Sequence, residues 1–242
     1  MTKSILTKVF LFFFLITPLA SSAQMFSVGD GRSRNTNLFS SYVRGGIYLV
    51  DFSYKGNPSV VTDNNGLSFT GTVAHLGYES NGLNLGLGFG NSFTGLDNRR
   101  YFNLDLNFTN PFYLIRKDNF GAGIPIKLRT KVTSVRSERV QDEFSQTDLS
   151  AGAGLIMRVN VPEKLGITTQ FIPSIGFSTS SGGFLGGNIY SFAGKARINF
   201  YNLIFGKNIS LGYDYIFDSY DIDGDQYDYD VSGHLITLGV SL

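Results

Sequence analysis

Residues 101–110 read Tyr-Phe-Asn-Leu-Asp-Leu-Asn-Phe-Thr-Asn. Phe102, Leu104, Leu106 and Phe108 alternate with Asn103, Asp105, Asn107 and Thr109, so an extended chain carries one apolar face and one polar face. The period of two runs without a fault. The same alternation recurs over segments at about 42–54, 68–79, 83–93, 100–112, 121–135, 148–161, 166–178, 188–200, 208–218 and 229–242, with turn residues between them. No helical i, i+3, i+4 pattern competes. This is the pattern of one all-β domain of about ten antiparallel strands, with eight as the neighbouring even count.

Composition narrows the class. The 242 residues are 14% aromatic and only 16% charged, with 29 Gly and no Cys or Trp, whereas about a quarter of an ordinary soluble domain is charged. Beyond the N-terminus no run approaches the ~18 apolar residues of a membrane helix, so a membrane is crossed here by strands or not at all. The formal net charge is +1; with no basic patch and no nucleic-acid motif, nucleic acid is excluded as a partner. Lys3 and Lys8, the apolar run Val9 to Ile16, and Ser21-Ser22-Ala23 have the layout of a cleaved signal peptide over residues 1–23. Residues 24–41 form a polar, Gly/Ser/Asn-rich leader, and residues 42–242 the barrel. Without Cys an exported chain has no disulfides to draw on, so its stability comes from burial in protein or in lipid.

The connections alternate in length. Lys55 to Leu67, Thr94 to Arg99, Arg136 to Thr147, Thr179 to Gly187 and Ser219 to Asp228 are long and polar. Ser80 to Gly82, Arg116 to Asn119, Pro162 to Leu165 and Asn202 to Lys207 are short. An even number of antiparallel strands with short turns at one end and long loops at the other is the plan of a transmembrane up-and-down barrel. On that architecture residues 42–242 resemble a small bacterial outer-membrane β-barrel, the PorT-like and OmpW-like kinds being nearest in size and build. The resemblance implies periplasmic short turns, a periplasmic leader at 24–41, and residence in the cell outer membrane. A secreted lipocalin-like barrel shares the alternation but buries its apolar face. Volume decides against it. Leu83, Leu85, Leu87 and Phe89 stand opposite Asn84, Gly86, Gly88 and Gly90, and Gly suits a crowded lumen better than a solvated strand face. The Leu/Phe face is therefore assigned to lipid, with aromatic girdles formed by Tyr78, Phe112, Tyr113, Phe120, Phe200 and Tyr201 at one rim and by Phe93, Tyr101, Phe177 and Tyr190 at the other.

Lys127, Arg129 and Lys131 share one face of their segment, opposite Ile124, Ile126, Leu128 and Val132. Each cation facing lipid near the midplane costs about 2–4 kcal/mol, so the ladder points inward. By the same parity Arg158, Lys195 and Arg197 face the lumen, with His75, Glu79, Asp105, Gln170, Asp214 and Asp218. Asp105, on the neighbouring segment, is the leading partner of the ladder. Paired, these charges fill the interior; in excess, the cations line a narrow anion-preferring path. Ten strands favour the filled interior.

The last long connection is acidic, with Asp221, Asp223, Asp225 and Asp228 spaced closely enough to suggest a weak calcium site, although the positions of Gly and of a bidentate Glu differ from an EF-hand. No other cofactor is expected. Some small outer-membrane barrels are lipid A deacylases, phospholipases or proteases, but His75 and His234 lack the Ser two positions on that a barrel deacylase has, and His234 shares parity with lipid-facing Ile236. The expectation is a non-catalytic envelope protein that contacts outer-membrane lipid, lipopolysaccharide and other outer-membrane or periplasmic proteins. The alternatives are a narrow anion channel, a barrel hydrolase acting on lipid or peptide, and a lipocalin-like binder.

Overall fold

β1 (Tyr42–Tyr54) pairs antiparallel with both β2 (Phe69–Glu79) and β11 (Tyr229–Ser241), so the first and last strands close the sheet on itself. The computed structural model describes residues 41–56, 67–138, 143–180, 183–224 and 227–242. The expected signal peptide, nearly all of the leader and Asp225 lie outside them. Around the ring follow β3 (Leu83–Gly90), β4 (Arg99–Arg116), β5 (Phe120–Ser137), β6 (Glu143–Ala153), β7 (Leu155–Val161), β8 (Leu165–Ser180), β9 (Gly183–Ile204) and β10 (Lys207–Ile222). β6 and β7 both pair with β5 and with β8, and are one barrel strand interrupted at Gly154. Counted so, ten antiparallel strands close the barrel.

Turn chemistry explains the short end. The β9–β10 link is two residues, Phe205 and Gly206, both at positive φ (51° and 73°), the conformation whose twist matches that of a hairpin's strands. The glycines of β3 answer a different need. A Cβ on Gly88 would stand 1.8 Å from Asn103 Oδ1, so the lumen at this level has room for the Asn only because β3 contributes backbone alone.

Near the short-turn end the outward residues are apolar and exposed: Val43, Ile47 and Leu49 on β1, Ile124, Ile126 and Leu128 on β5, Ile236, Leu238 and Val240 on β11. Ile124 to Val132 makes eight steps of ~3.3 Å along a strand tilted by ~40°, or ~20 Å of height, close to the belt of a membrane barrel. Phe102 and Phe108 of the segment 101–110 are exposed on this belt. Such a belt gains nothing in water and a great deal in hydrocarbon.

Toward the long-loop end the two faces exchange character. Asp51, Ser145, Asn188 and Asp221 are outward and exposed, while Val50, Phe52, Tyr101, Phe144, Tyr220 and Tyr229 are inward and buried. Phe52 packs at ring-centroid distances of 5.7 Å on Phe69 and 5.2 Å on Tyr229; Phe144 meets Tyr229 edge-on at 4.6 Å, and Tyr220 stacks on it at 4.1 Å. Leu67 and Leu96 fold in from the connections to complete the cluster. Here the wall meets water, and the barrel adopts the soluble rule of apolar inside and polar outside.

Two expectations are corrected. Tyr101, in the exchanged layer, and Tyr201, near the short-turn end with its Oη donating to Asn160 Oδ1 at 3.0 Å, are buried inside the barrel rather than set in an interface girdle. Several polar stretches that read as loops are strand: in residues 219–222, Ser219 and Asp221 face out while Tyr220 and Ile222 face in. The connections after β5, β8 and β10 are correspondingly shorter than their composition indicates.

Two substitutions map the boundary. Leu128→Arg, in mid-belt, is expected to lower the unfolding free energy in bilayers by about 2–4 kcal/mol, and Asn188→Arg, above it, by no more than about 1 kcal/mol. Refolding titrations in lipid vesicles measure both. Phe52→Ala is expected to cost about 3–5 kcal/mol on the same assay, because it opens a cavity in the aromatic cluster.

Candidate functional site

Beneath the aromatic cluster the lumen is charged. Arg129 on β5 reaches Asp218 on β10 with two parallel bonds, Nη1 to Oδ1 at 2.7 Å and Nη2 to Oδ2 at 2.9 Å, between side chains that are 2% and 0% exposed. Lys131 Nζ adds a contact to Asp218 Oδ2 at 2.8 Å, and Ser191 Oγ donates to Oδ1 at 2.6 Å. Arg129 also uses Nε, which donates to Asp105 Oδ2 at 2.9 Å. The forked guanidinium thus satisfies two carboxylates from two directions, a geometry a Lys does not reproduce. Close by, Tyr220 Oη donates to Asp148 Oδ2 at 2.5 Å, which ties the aromatic layer to the charged one.

A second cluster lies nearer the short-turn end. Arg197 on β9 donates two hydrogen bonds, from Nη1 and Nη2, to the two carboxylate oxygens of Asp214 on β10, and a third from Nε to Glu79 Oε2 at 3.1 Å. Arg44 on β1 contacts the same Glu79 oxygen through Nε at 2.8 Å and donates from Nη2 to Ser210 Oγ at 2.9 Å. The two clusters span β1, β2, β4, β5, β9 and β10, so the fill of the lumen is also a set of struts across the ring.

All nine expected lumen charges, Glu79, Asp105, Lys127, Arg129, Lys131, Arg158, Lys195, Arg197 and Asp214, lie on inward strand positions. Their partnerships differ from expectation. Asp218, not Asp105, is the centre of the ladder's ion pairs, and among the described residues Asp105 bonds to Arg129 and Asn107. Lys127 and Lys195 form no ion pair among the described residues, and both line a cavity of about 50 Å³ between the two clusters. Arg158 stands apart, beside Tyr201 near the short-turn end. Arg44 and Asp148 were overlooked, although both obey the same parity as their inward neighbours Tyr48 and Ser150. Their position on the polar face was a usable signal.

The acidic connection does not assemble a metal site among the described residues. Asp221 points outward, Asp228 Oδ1 accepts from Ile222 N at 2.8 Å, and Asp230 pairs with Lys55 and accepts from Ser219 Oγ at 2.8 Å. These carboxylates shape the hairpin. His234 is on the outer wall, as its parity requires, with Nδ1 2.8 Å from Tyr213 Oη; His75 is inside, lining the cavity.

Asp218→Ala strands Arg129 and Lys131 without their shared counter-ion and is expected to cost about 3–5 kcal/mol. Asp105→Ala leaves the forked Arg129–Asp218 pair intact and is expected to cost clearly less. The midpoints of urea unfolding in detergent, compared at equal m-value, read out both.

No family model matches this sequence, and no curated protein matches it. Among solved structures it is similar to the outer membrane protease OmpT from Escherichia coli, with 8% identity over 84% of this chain and 92% of that chain at a TM-score of 0.41. It is similar also to the outer membrane protein OprG from Pseudomonas aeruginosa, with 10% identity over 84% and 96% and a TM-score of 0.33. The translocator domain of the autotransporter NalP from Neisseria meningitidis matches with 11% identity over 93% and 96% and a TM-score of 0.32. The assignment as a membrane-type β-barrel rests on this chain's own closed ladder and apolar belt.

Proposed function

We propose that this chain is an outer-membrane β-barrel with a closed lumen that works through its surfaces, as a non-catalytic accessory or partner-binding component of the cell envelope. The observation that carries the reading is the filling of the lumen at two successive levels, the aromatic cluster around Phe52 and the ion pairs around Asp218. Ten strands make a narrower ring than the roughly 16 to 18 of an aqueous porin, and both layers fill it with side chains. Binding is then left to rims and walls.

The short-turn rim offers the more distinctive surface. Leu114 and Ile115 on the β4–β5 hairpin, and Leu203, Ile204 and Phe205 on the β9–β10 hairpin, are all exposed, Phe205 at 99%. Exposed apolar tips of this kind suit a protein partner on that side of the membrane. At the other rim Arg100 and Arg136 face outward from paired positions on β4 and β5, a placement suited to the phosphates of lipopolysaccharide.

Two measurements test the reading. Purified protein in planar bilayers is expected to give no discrete channel openings. Affinity recovery from detergent-solubilised membranes is expected to yield a specific envelope protein, and Phe205→Ser combined with Leu203→Ser is expected to release it while the barrel keeps its heat-modifiable gel mobility. A protein recovered alone that conducts would instead make it an anion-preferring channel.

A further inference from the structure

The cavity between the two charged clusters is lined by five cations, Arg44, Lys127, Arg129, Lys195 and Arg197, against three carboxylates, Glu79, Asp105 and Asp214. The arginines already engage all three: Arg44 and Arg197 hold Glu79, Arg197 holds Asp214, and Arg129 holds Asp105. Lys127 and Lys195 are left lining one small space. Lys127 is 4% exposed and has no ion pair or hydrogen bond among the described residues. A buried ammonium with no ion pair is a costly arrangement, relieved by loss of its proton or by an opposite charge beside it.

We propose that this cavity binds a small inorganic anion of halide size, held between Lys127 and Lys195. Volume supports a small ligand: about 50 Å³ admits a few water-sized species, each needing ~10–15 Å³ of such space. The orphaned buried acceptors Asn103 Oδ1, Asn107 Oδ1 and Thr237 Oγ1 call for donors, which a water bound beside the anion supplies, so the site takes an anion with its residual hydration. Bound there, the anion halves the excess of two cations lining a cavity whose carboxylates are already engaged by arginines. The site is independent of the partner-binding role: its occupancy depends only on the interior.

The test is thermal unfolding in detergent at fixed ionic strength, with chloride replacing gluconate, an anion too large for the cavity. Wild-type protein is expected to show a saturable rise in unfolding temperature with chloride, as a ligand specific to the folded state produces. Lys127→Gln and Lys195→Gln are each expected to lose most of that rise while keeping heat-modifiable mobility. Equal unfolding temperatures in the two salts, or an undiminished chloride response in both variants, would overturn the proposal. Should Lys127→Gln fail to fold, crystals of wild-type protein grown in bromide decide. An anomalous peak between Lys127 and Lys195 supports the site, and its absence there overturns it.

Discussion

The bidentate contact between Arg129 and Asp218 is the constraint on which the rest of the interior turns. β5 and β10 are not neighbours in the ring, so this pair fixes a distance across the lumen rather than along the wall. A wall alone sets the circumference of a barrel, and a bond across it sets the cross-section. Arg129 reaches further, to Asp105 on β4, and Asp218 collects Lys131 and Ser191. Four strands are therefore tied through two side chains. Register follows as well, since a slip of one residue in β5 would turn Lys127, Arg129 and Lys131 toward lipid and strip Asp218 of its partners.

Much of this was legible in the residues. The alternation at 101–110 gave the outward face correctly, and the run of Gly at 86, 88 and 90 gave a crowded interior, because both depend only on parity along one strand. The inward direction of Lys127, Arg129 and Lys131 followed from the cost of the opposite choice. What escaped reading has two physical sources. Pairings such as Arg129 with Asp218 join residues 89 apart in sequence on strands that do not touch, and no local pattern encodes them. The change of face along the axis escaped for another reason. A rule that sends every apolar residue to lipid holds only where lipid is present, and at Ile47-Tyr48-Leu49-Val50 both faces of β1 are apolar. That doubled run marks the level where the surroundings of the wall change.

The two layers of the lumen divide the work of filling it. In the upper one, rings exclude water by packing, and their centroid distances of 4.1 to 6.3 Å are those of a protein core. In the lower one, the arginines and carboxylates are brought out of water and compensated pair by pair, with Lys127 and Lys195 outside those pairs, an arrangement that specifies partners more than it stabilises them. The Tyr220–Asp148 hydrogen bond is the seam between the two. Polar groups there face an apolar layer on one side and a salt-bridged layer on the other, so each geometry restrains its neighbour.

The exchange of faces along the axis has a consequence for the membrane itself. The apolar belt ends where Leu49 gives way to Asp51 on β1, and that level is written into side chains rather than imposed by the bilayer. The protein therefore has a fixed waterline. In a bilayer thicker than the belt, sinking deeper would drag Asp51 and its counterparts into hydrocarbon. A rigid barrel braced across its lumen has little capacity to tilt strands or stretch in compensation. The lipid yields instead, thinning locally around the wall at a cost of fractions of a kcal/mol per Å of mismatch. Copies of such a barrel share one preferred thickness, and in a membrane of uneven thickness they would collect where the bilayer already matches the belt.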